Sequence, residues 1–442
     1  MRFSLATNFE DDLIERIAPH PVRELFGKLS SDAAGGGRAS LQIPGIGRRA
    51  ARRHVEAARR KGIGFNYLLN AACLDNLEFT RAGQKALRRL LGWAVDIGVD
   101  SVTVASPFLL RIVKACYPSL KVRVSVFAGV DHVRKAKMWE EMGADCVMLD
   151  SLLVNREFDL LRAIRRSVKC ELQLLANNNC LQSCAMSPYH MNTLAHASQS
   201  GHHTRGFFID WCFLQCTAMK LRDPVHFIRS EWIRPEDLHH YEAIGYDSFK
   251  IAERGAPTDV LVRRVEAYSK RRFDGNLLDL VQAFGSREVR GEAPGKGFFW
   301  RLRHLFRPLT VSLGRLWNVK RLAEARGLFG GGEGPPPVHV DNRLLDGFID
   351  RFLSTGCKEV DCESCRYCHR WADRAVRIDT QFRDKCEALY REVFDDMQSG
   401  RMWGLAPPPR LRGAPALPSP PVQSSGNPAE IPLERRAEEA ED

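Results

Sequence analysis

The stretch SVTVASPFLLRIVKACYPSLKVRVSVFAGVDHVRKAKMWEEMGADCVML, Ser101 to Leu149, decides the fold. Ser101–Ala105 reads as a short strand and Pro107–Tyr117 as the helix that follows it. Val122–Phe127 is the next strand, His132–Met142 the next helix, and Cys146–Leu149 the strand after that. Met142-Gly143-Ala144-Asp145 is a helix-to-strand turn, with glycine ending the helix. The strands are largely apolar, as expected where both faces of a sheet are covered. Strand and helix in alternation predict a parallel sheet.

The alternation extends in both directions. Upstream lie strands at Phe3–Thr7, Val22–Leu29 and Phe65–Cys73, with helices from Asp11, over Arg48–Lys61 and over Gln84–Ile97. Downstream lie strands at Glu171–Leu175 and Ser248–Ala252, with helices over Arg156–Ser167 and Asp259–Lys270. Eight such units in about 270 residues match a (β/α)8, TIM-barrel-like α/β domain, assigned to residues 1–284. An open doubly wound sheet is the alternative. No G-x-G-x-x-G follows the first strand and no P-loop is present, which weakens a dinucleotide or nucleotide-hydrolase reading. In a barrel the chemistry belongs at the C-terminal strand ends. Asn70, Cys73, Asn76, Ser106, Asp131, Asp150, Asn177, Glu253 and Arg254 fall there, and the ordinary role of each is to cap or turn a loop.

The 442 residues are 44% apolar, carry a net charge of +11 and include 13 cysteines. This supports a large packed core and excludes a disordered chain or a disulfide-stapled miniprotein. Glu10, Asp11 and Asp12 soon follow the start, with no long apolar stretch, so no signal peptide or membrane span is expected. Clustered cysteines then point to a reducing cytoplasm and to metal or redox chemistry. Residues 285–340 form a Gly/Pro-rich linker, including Gly330–Gly332 and Pro335–Pro337. Within it, Phe298–Arg321 is basic and amphipathic: a packed linker, a membrane-surface or protein contact (298–321), or, less favoured, a nucleic-acid contact. Residues 341–400 read as a small α-helical, Cys-rich module, with one helix ending near Gly356 and another from about Trp371 to Met397. Residues 401–442 are a Pro-rich disordered tail with an acidic end.

Two cysteine sets carry the chemistry. Cys180-x3-Cys184 and Cys212-x3-Cys216 lie between the seventh and eighth strands, at the barrel's active end, and their short spacers fit loops. Four thiolates suit an iron–sulfur cluster or zinc; buried unliganded thiols are the bland alternative. Cys357, Cys362, Cys365 and Cys368 form the second metal site, again iron–sulfur or zinc, with a compact ferredoxin-like spacing. Cys73, Cys116, Cys146, Cys170 and Cys386 are read as free, Cys73 being the one at a strand end. No G-x-S-x-G or H-E-x-x-H motif supports a protease.

The run Asn179-Cys180-Leu-Gln-Ser-Cys184-Ala-Met-Ser-Pro188-Tyr-His190-Met-Asn192 resembles the Cys-containing signature of the collagenase-like peptidase family U-32. Ile233–Leu238, Tyr241–Gly245, Phe249–Arg254 and Phe65–Asn70 also resemble family segments, so the likeness spans roughly residues 1–275. Although the family is named for proteolysis, the resemblance implies a 4Fe-4S cluster. Its cluster-bearing branches carry out oxygen-independent hydroxylation in ubiquinone synthesis or on RNA, with prephenate implicated as oxygen donor. Carried over, Cys180, Cys184, Cys212 and Cys216 become cluster ligands, a small-molecule substrate is expected, and a paralogous barrel is an expected partner. Where the hydroxylase branches often show His-Gly before the first cysteine, this chain has Ala176-Asn177-Asn178-Asn179. Glu253, Arg254 and His190 are the candidate catalytic residues, Arg254 with Lys250 to hold carboxylates and Glu253 to move a proton. Only Arg254 and Glu253 fall where the strand should end, which leaves the direction of Lys250 open, outward included. His190 is read as a hydrogen-bond donor to a cluster sulfur before a ligand.

Overall fold

The computed structural model describes residues 1–43, 45–281, 303–325, 335–358 and 360–406. About half of the 285–340 linker, Phe298–Leu302 of the basic segment and most of the Pro-rich tail lie outside these residues.

Eight parallel strands close into a barrel in sequence order: β1 (Arg2–Ala6), β2 (Val22–Gly27), β3 (Gly64–Leu69), β4 (Ser101–Val104), β5 (Lys121–Val124), β6 (Cys146–Met148), β7 (Glu171–Leu175) and β8 (Ser248–Ile251). The seam pairs β1 with β8, Ser4 opposite Lys250 and Leu5 opposite Ile251. The (β/α)8 reading stands and the open sheet is excluded. Between strands run α1 (Asp11–Ile17), α2 (Arg48–Arg60), α3 (Arg81–Asp96), α4 (Pro107–Cys116), α5 (Val133–Glu141) and α6 (Phe158–Ser167). Their starts follow from local chemistry. Thr80 Oγ1 accepts from the Gly83 N–H at the head of α3, and Ser106 Oγ accepts from Leu109 at the head of α4, where Pro107 has no N–H to lose. The α5 helix stops before Gly143, whose φ of +105° only glycine adopts readily.

The N-terminal end of the barrel is filled by charge. Arg123 pairs with Glu24 at 3.0 Å and Glu171 at 3.1 Å, while Gln173 and Ser248 complete the layer. Burial opposes the Glu171 carboxylate, yet Arg123 and Arg23 draw it down to about 2. A cleft of about 440 Å³ indents this face beside Arg23, Arg123 and Glu171, at the end opposite the one where barrel chemistry belongs.

The β7–β8 excursion carries α7 (Ser187–His196), α8 (Trp211–Arg222), α9 (Val225–Arg229) and α10 (Leu238–Glu242). Beyond β8 come α11 (Thr258–Lys270), α12 (Leu277–Val281) and α13 (Leu313–Ala325). The C-terminal elements are β9 (Val338–Val340), α14 (Cys362–Cys365), α15 (Tyr367–Ala375), β10 (Val376–Ile378) and α16 (Thr380–Gln398).

Two expectations change here. The helix expected from Trp371 to Met397 is two helices, because the chain extends at Val376–Ile378 to pair antiparallel with Val338–Val340. The helix expected before Gly356 is two short 3-10 turns, Asn342–Leu345 and Asp350–Leu353. The region therefore holds a small sheet as well as helices. Its buried side chains, among them Val340, Phe348, Tyr390 and Met402, belong to the same contiguous core as the barrel. In the basic segment, α13 lies on α16 through Asn318–Asp396 at 3.0 Å and Arg315–Asp396 at 3.2 Å, while Phe306, Leu309 and Trp317 face outward.

Candidate functional site

The C-terminal barrel mouth is lined with buried cations. Lys28 follows β2, and its ammonium, wholly buried, lies 3.1 Å from Asp32 Oδ2. Asp32 also accepts from the Tyr67 hydroxyl at 2.8 Å, and its other oxygen accepts the Gly35 N–H at 2.8 Å. Lys250, on the strand across the seam, points inward and not outward, its ammonium 4.0 Å from the centre of the Phe26 ring. Lysine parity on a strand is ambiguous from sequence when both faces are covered, and here register with Ser4 sets it. Arg254 is 6% exposed and its Nη1 has no hydrogen-bond partner. It lies among Arg38, Glu253, Asp32 and Tyr67, and burial with the nearby Arg38 charge pushes its guanidinium down to about 9. A buried guanidinium left short of partners costs free energy until an anion answers it.

Glu253 roofs this mouth. Its carboxylate is 3.5 Å from Arg38 and accepts the Gly255 N–H at 3.2 Å. Its φ is +105°, a strained conformation for a side-chain-bearing residue, of the kind that collects at functional sites. Asn70, also at the rim, is buried with Oδ1 unpartnered. The glycine loop 35–37 closes over Lys28 and Asn70, since a Cβ on Gly36 would sit 2.9 Å from Asn70 Oδ1 and 3.1 Å from Lys28 Cδ.

The Cys-rich excursion forms the adjoining wall. Cys180 and Cys184 lie in the loop after β7, but Cys212 and Cys216 sit one turn apart on α8, so the second pair is helical, with both thiols on one face. Between the pairs stands Lys220, also on α8 and 2% exposed, donating to Asn179 Oδ1 at 2.7 Å. Burial pushes its ammonium down, and Cys216, Cys180 and Cys184, once ionised, would pull it back up. Burial likewise raises the Cys180 thiol, against Lys220 and Arg38, although the side chain retains solvent contact. Cys212 is raised to about 11 by burial, with Asp210 and Cys184 adding.

Cys180, Cys184 and Cys216 thus lie within electrostatic reach of one buried cation, and Cys212 within reach of Cys184. Among the described residues, no three His, Cys, Asp or Glu side chains are arranged to hold a metal ion as they stand. A mononuclear zinc site needs all its sulfurs within about 2.3 Å of one atom. A cubane takes one thiolate per iron and spreads them further apart. The donor set and the buried cation between the pairs fit the larger anionic group.

The remaining sequence candidates divide. His190, on α7, has Nε2 2.9 Å from Asp210 Oδ1 but outside hydrogen-bonding alignment, so it serves the α7–α8 contact. Ser106 caps α4, Asn76 turns the chain at φ +56°, Asp131 pairs with Lys135 and Asn177 ties β7 to Ala252. The Cys73 sulfur accepts the Asp75 N–H at 3.3 Å within its own turn. Asp150 accepts from Leu152. Each of these contacts is a cap, a turn or a local pairing. Lys28, Asp32, Arg38, Tyr67 and Lys220 are absent from the sequence candidates. The i,i+4 spacing of Lys28 and Asp32 immediately after a strand was the available signal for the first two.

The profile of peptidase family U32 matches residues 51–275. An uncharacterized protease of Methanocaldococcus jannaschii is 29% identical over 344 residues, covering 78% of this chain and 86% of that protein. Among solved structures, a U32 peptidase superposes with a TM-score of 0.44 at 21% identity, over 57% of this chain and 93% of the other. A D-psicose 3-epimerase superposes with a TM-score of 0.30 at 13% identity, over 44% and 80% of the two chains.

Proposed function

This chain belongs to peptidase family U32, and from that premise we propose that it is an iron–sulfur enzyme that binds a small carboxylate in its barrel mouth. The reaction class proposed is oxygen-independent hydroxylation, or related redox chemistry, on a quinone-precursor-like molecule or an RNA base. The observation that carries the reading is the buried positive charge of Lys28, Lys250 and the under-partnered Arg254, together with Lys220 within electrostatic reach of Cys180, Cys184 and Cys216. A 4Fe-4S cluster held by Cys180, Cys184, Cys212 and Cys216 would supply one-electron redox capacity. Arg254 and Lys250 would hold the carboxylate of a prephenate-like donor. Glu253, released from Arg38, would hold or accept a proton at the reacting group, and closure of the 35–37 loop would exclude water.

The family's name supports a peptidase as the second reading. A peptidase of the nucleophilic type needs an accessible nucleophile activated by a base. The Thr7–His54 contact at 2.7 Å is sealed in the barrel, and Thr204–His202 at 2.9 Å is a local turn, so neither supplies one.

The test is anaerobic purification with iron, sulfide and zinc analysis, visible spectra and turnover assays with candidate carboxylates, prephenate among them. Wild type is expected to be brown and to bleach with dithionite, and Cys180→Ala to lose that absorption. Arg254→Ala should keep it while carboxylate affinity falls about 10- to 100-fold, the worth of about 1.5–3 kcal/mol for a charge-assisted contact. A colourless, iron-free protein that cleaves peptides would reverse the order of the two readings.

A further inference from the structure

We propose that Cys357, Cys362, Cys365 and Cys368 bind a second 4Fe-4S cluster, in a cradle built jointly by the C-terminal segment and the barrel. The chain is folded to gather these thiols. The Cys357 N–H donates to Glu157 Oε1 at 2.7 Å, which ties the first cysteine to the loop before α6. Cys362 and Cys365 begin and end the single turn α14, whose N-terminus Asp361 caps through Ser364 at 3.1 Å and Glu363 at 3.3 Å. Arg366 then adopts φ +47°, a left-handed turn on a side-chain-bearing residue, and this redirects the chain so that α15 starts at once with Cys368 in its first turn. Cys368 lies within electrostatic reach of Cys357, Cys362 and Cys365.

The surroundings ask for an anion. Arg351 Nη1 is 3.0 Å from Cys365 Sγ, and Arg156 and Arg229 both act on Cys368. Arg156 is 1% exposed, held by the carbonyls of Ile228, Arg229 and Ser230, and its Nε has no hydrogen-bond partner. Arg229 Nε is also unpartnered, although Glu363 lies 3.6 Å from its Nη2. Four thiolates on a 4Fe-4S core in its oxidised, doubly positive state make a net dianion, and guanidinium donors aimed at the sulfurs are what such a group takes as outer partners. Phe348, Phe352, Tyr367 and Trp371 pack together behind it and keep one wall dry.

The spacing selects the cluster over zinc. In Cys362-x2-Cys365-x2-Cys368 the middle cysteine belongs to both short loops, as in the ferredoxin-type run that places each thiolate on a separate iron.

The test uses the full chain, purified without oxygen, as wild type, Cys180→Ser/Cys184→Ser and Cys365→Ser/Cys368→Ser, with circular dichroism to confirm folding. The barrel-mouth variant is expected to retain about four irons and four sulfides per chain. The C-terminal variant is expected to lose that complement and keep whatever the mouth holds. Should the C-terminal variant not fold, Arg351→Met in the Cys180→Ser/Cys184→Ser background replaces it. Removing a cation beside the sulfurs should keep the iron and lower the reduction potential. The proposal is overturned if the barrel-mouth variant holds no iron or holds one zinc per chain, or if the Arg351→Met potential is unmoved. Because that variant lacks two of the four mouth thiols, it has no complete four-thiolate set at the barrel mouth, and these outcomes are independent of the barrel-mouth reading.

Discussion

Lys250 has its ammonium inside the barrel, and burial, joined by Arg254 and Arg123, lowers its pKa to about 7 against the pull of Glu24. In the unfolded chain a lysine titrates near ~10.4. Below about 7 both states carry the proton and the folded state bears the full burial penalty. From about 7 to ~10.4 the unfolded chain binds more protons, so stability from this group rises with pH across that window. Carboxylate binding runs the other way, because it needs the ammonium. Affinity for a carboxylate ligand is therefore expected to fall about tenfold between roughly pH 6 and roughly pH 8.5, as followed by titration calorimetry. Lys250→Met should bind more weakly at the lower pH and show a flat profile. A wild-type affinity independent of pH would remove Lys250 from the carboxylate site. The same residue shows the limit of reading side chains from sequence: Arg254 and Glu253 are legible because they follow a strand, but the inward direction of Lys250 is a property of barrel register.

At the scale of elements, the loop joining β2 to α2 holds the mouth together. Gly35 has φ +77°, and a Cβ there would lie 2.6 Å from the Ala195 carbonyl oxygen. The next residue's N–H donates to Ser198 Oγ at 2.9 Å, so the glycine loop is fastened to the Cys-rich excursion. Gly35→Ala combines an unfavourable φ with a backbone clash and is expected to destabilise the fold by about 1–3 kcal/mol. It should also speed proteolysis within 30–45, measured against thermal melting of wild type. A melting temperature and cleavage pattern equal to wild type would show that the loop is not closed on the excursion. Barrel strands are legible from sequence at their starts, which agree within one residue throughout, whereas β3 ends at Leu69 and not Cys73. The apolar pattern runs on past the last ladder bond because Ala71 and Leu74 are buried under the mouth loops. The excursion was less legible. Its α8 combines Cys212, Cys216, Thr217 and Lys220 on the inner side, so its burial pattern is polar and carries little hydrophobic period. The break between α15 and α16 is hidden for a related reason. Val376 and Ile378 satisfy a helical pattern as well as a strand, and only their distant partners Val340 and Val338 decide the matter.

For the whole molecule, the decisive fact is that barrel and C-terminal segment share one core. Thr217 on α8 meets the Tyr390 hydroxyl on α16 at 2.7 Å, both buried. Arg156, at the head of the α6 unit, has its guanidinium 4.6 Å from the Trp232 ring centre and 4.8 Å from that of Phe348. Asn276, just after α11, bonds both edges of Val338–Val340, at 3.0 Å and 2.9 Å. Cutting these contacts would strip apolar surface from α8, α9 and α11 at roughly 25 cal/mol per Å². Domains joined through a large apolar interface lose their independence, so the two regions are expected to melt together. Calorimetry on the full chain should give a single transition with calorimetric and van't Hoff enthalpies in agreement. A fragment ending at residue 281 should be less stable than the full chain by several kcal/mol, or insoluble, since Trp232, Phe227 and the Arg156 side chain would be uncovered. Phe348→Ala, which removes one ring from the stack against Trp232 and Arg156, should lower the single melting temperature by the equivalent of about 3–5 kcal/mol. Two separable transitions, with Phe348→Ala moving only the lower one, would instead make the cysteine quartet part of an autonomous module docked on a self-sufficient barrel.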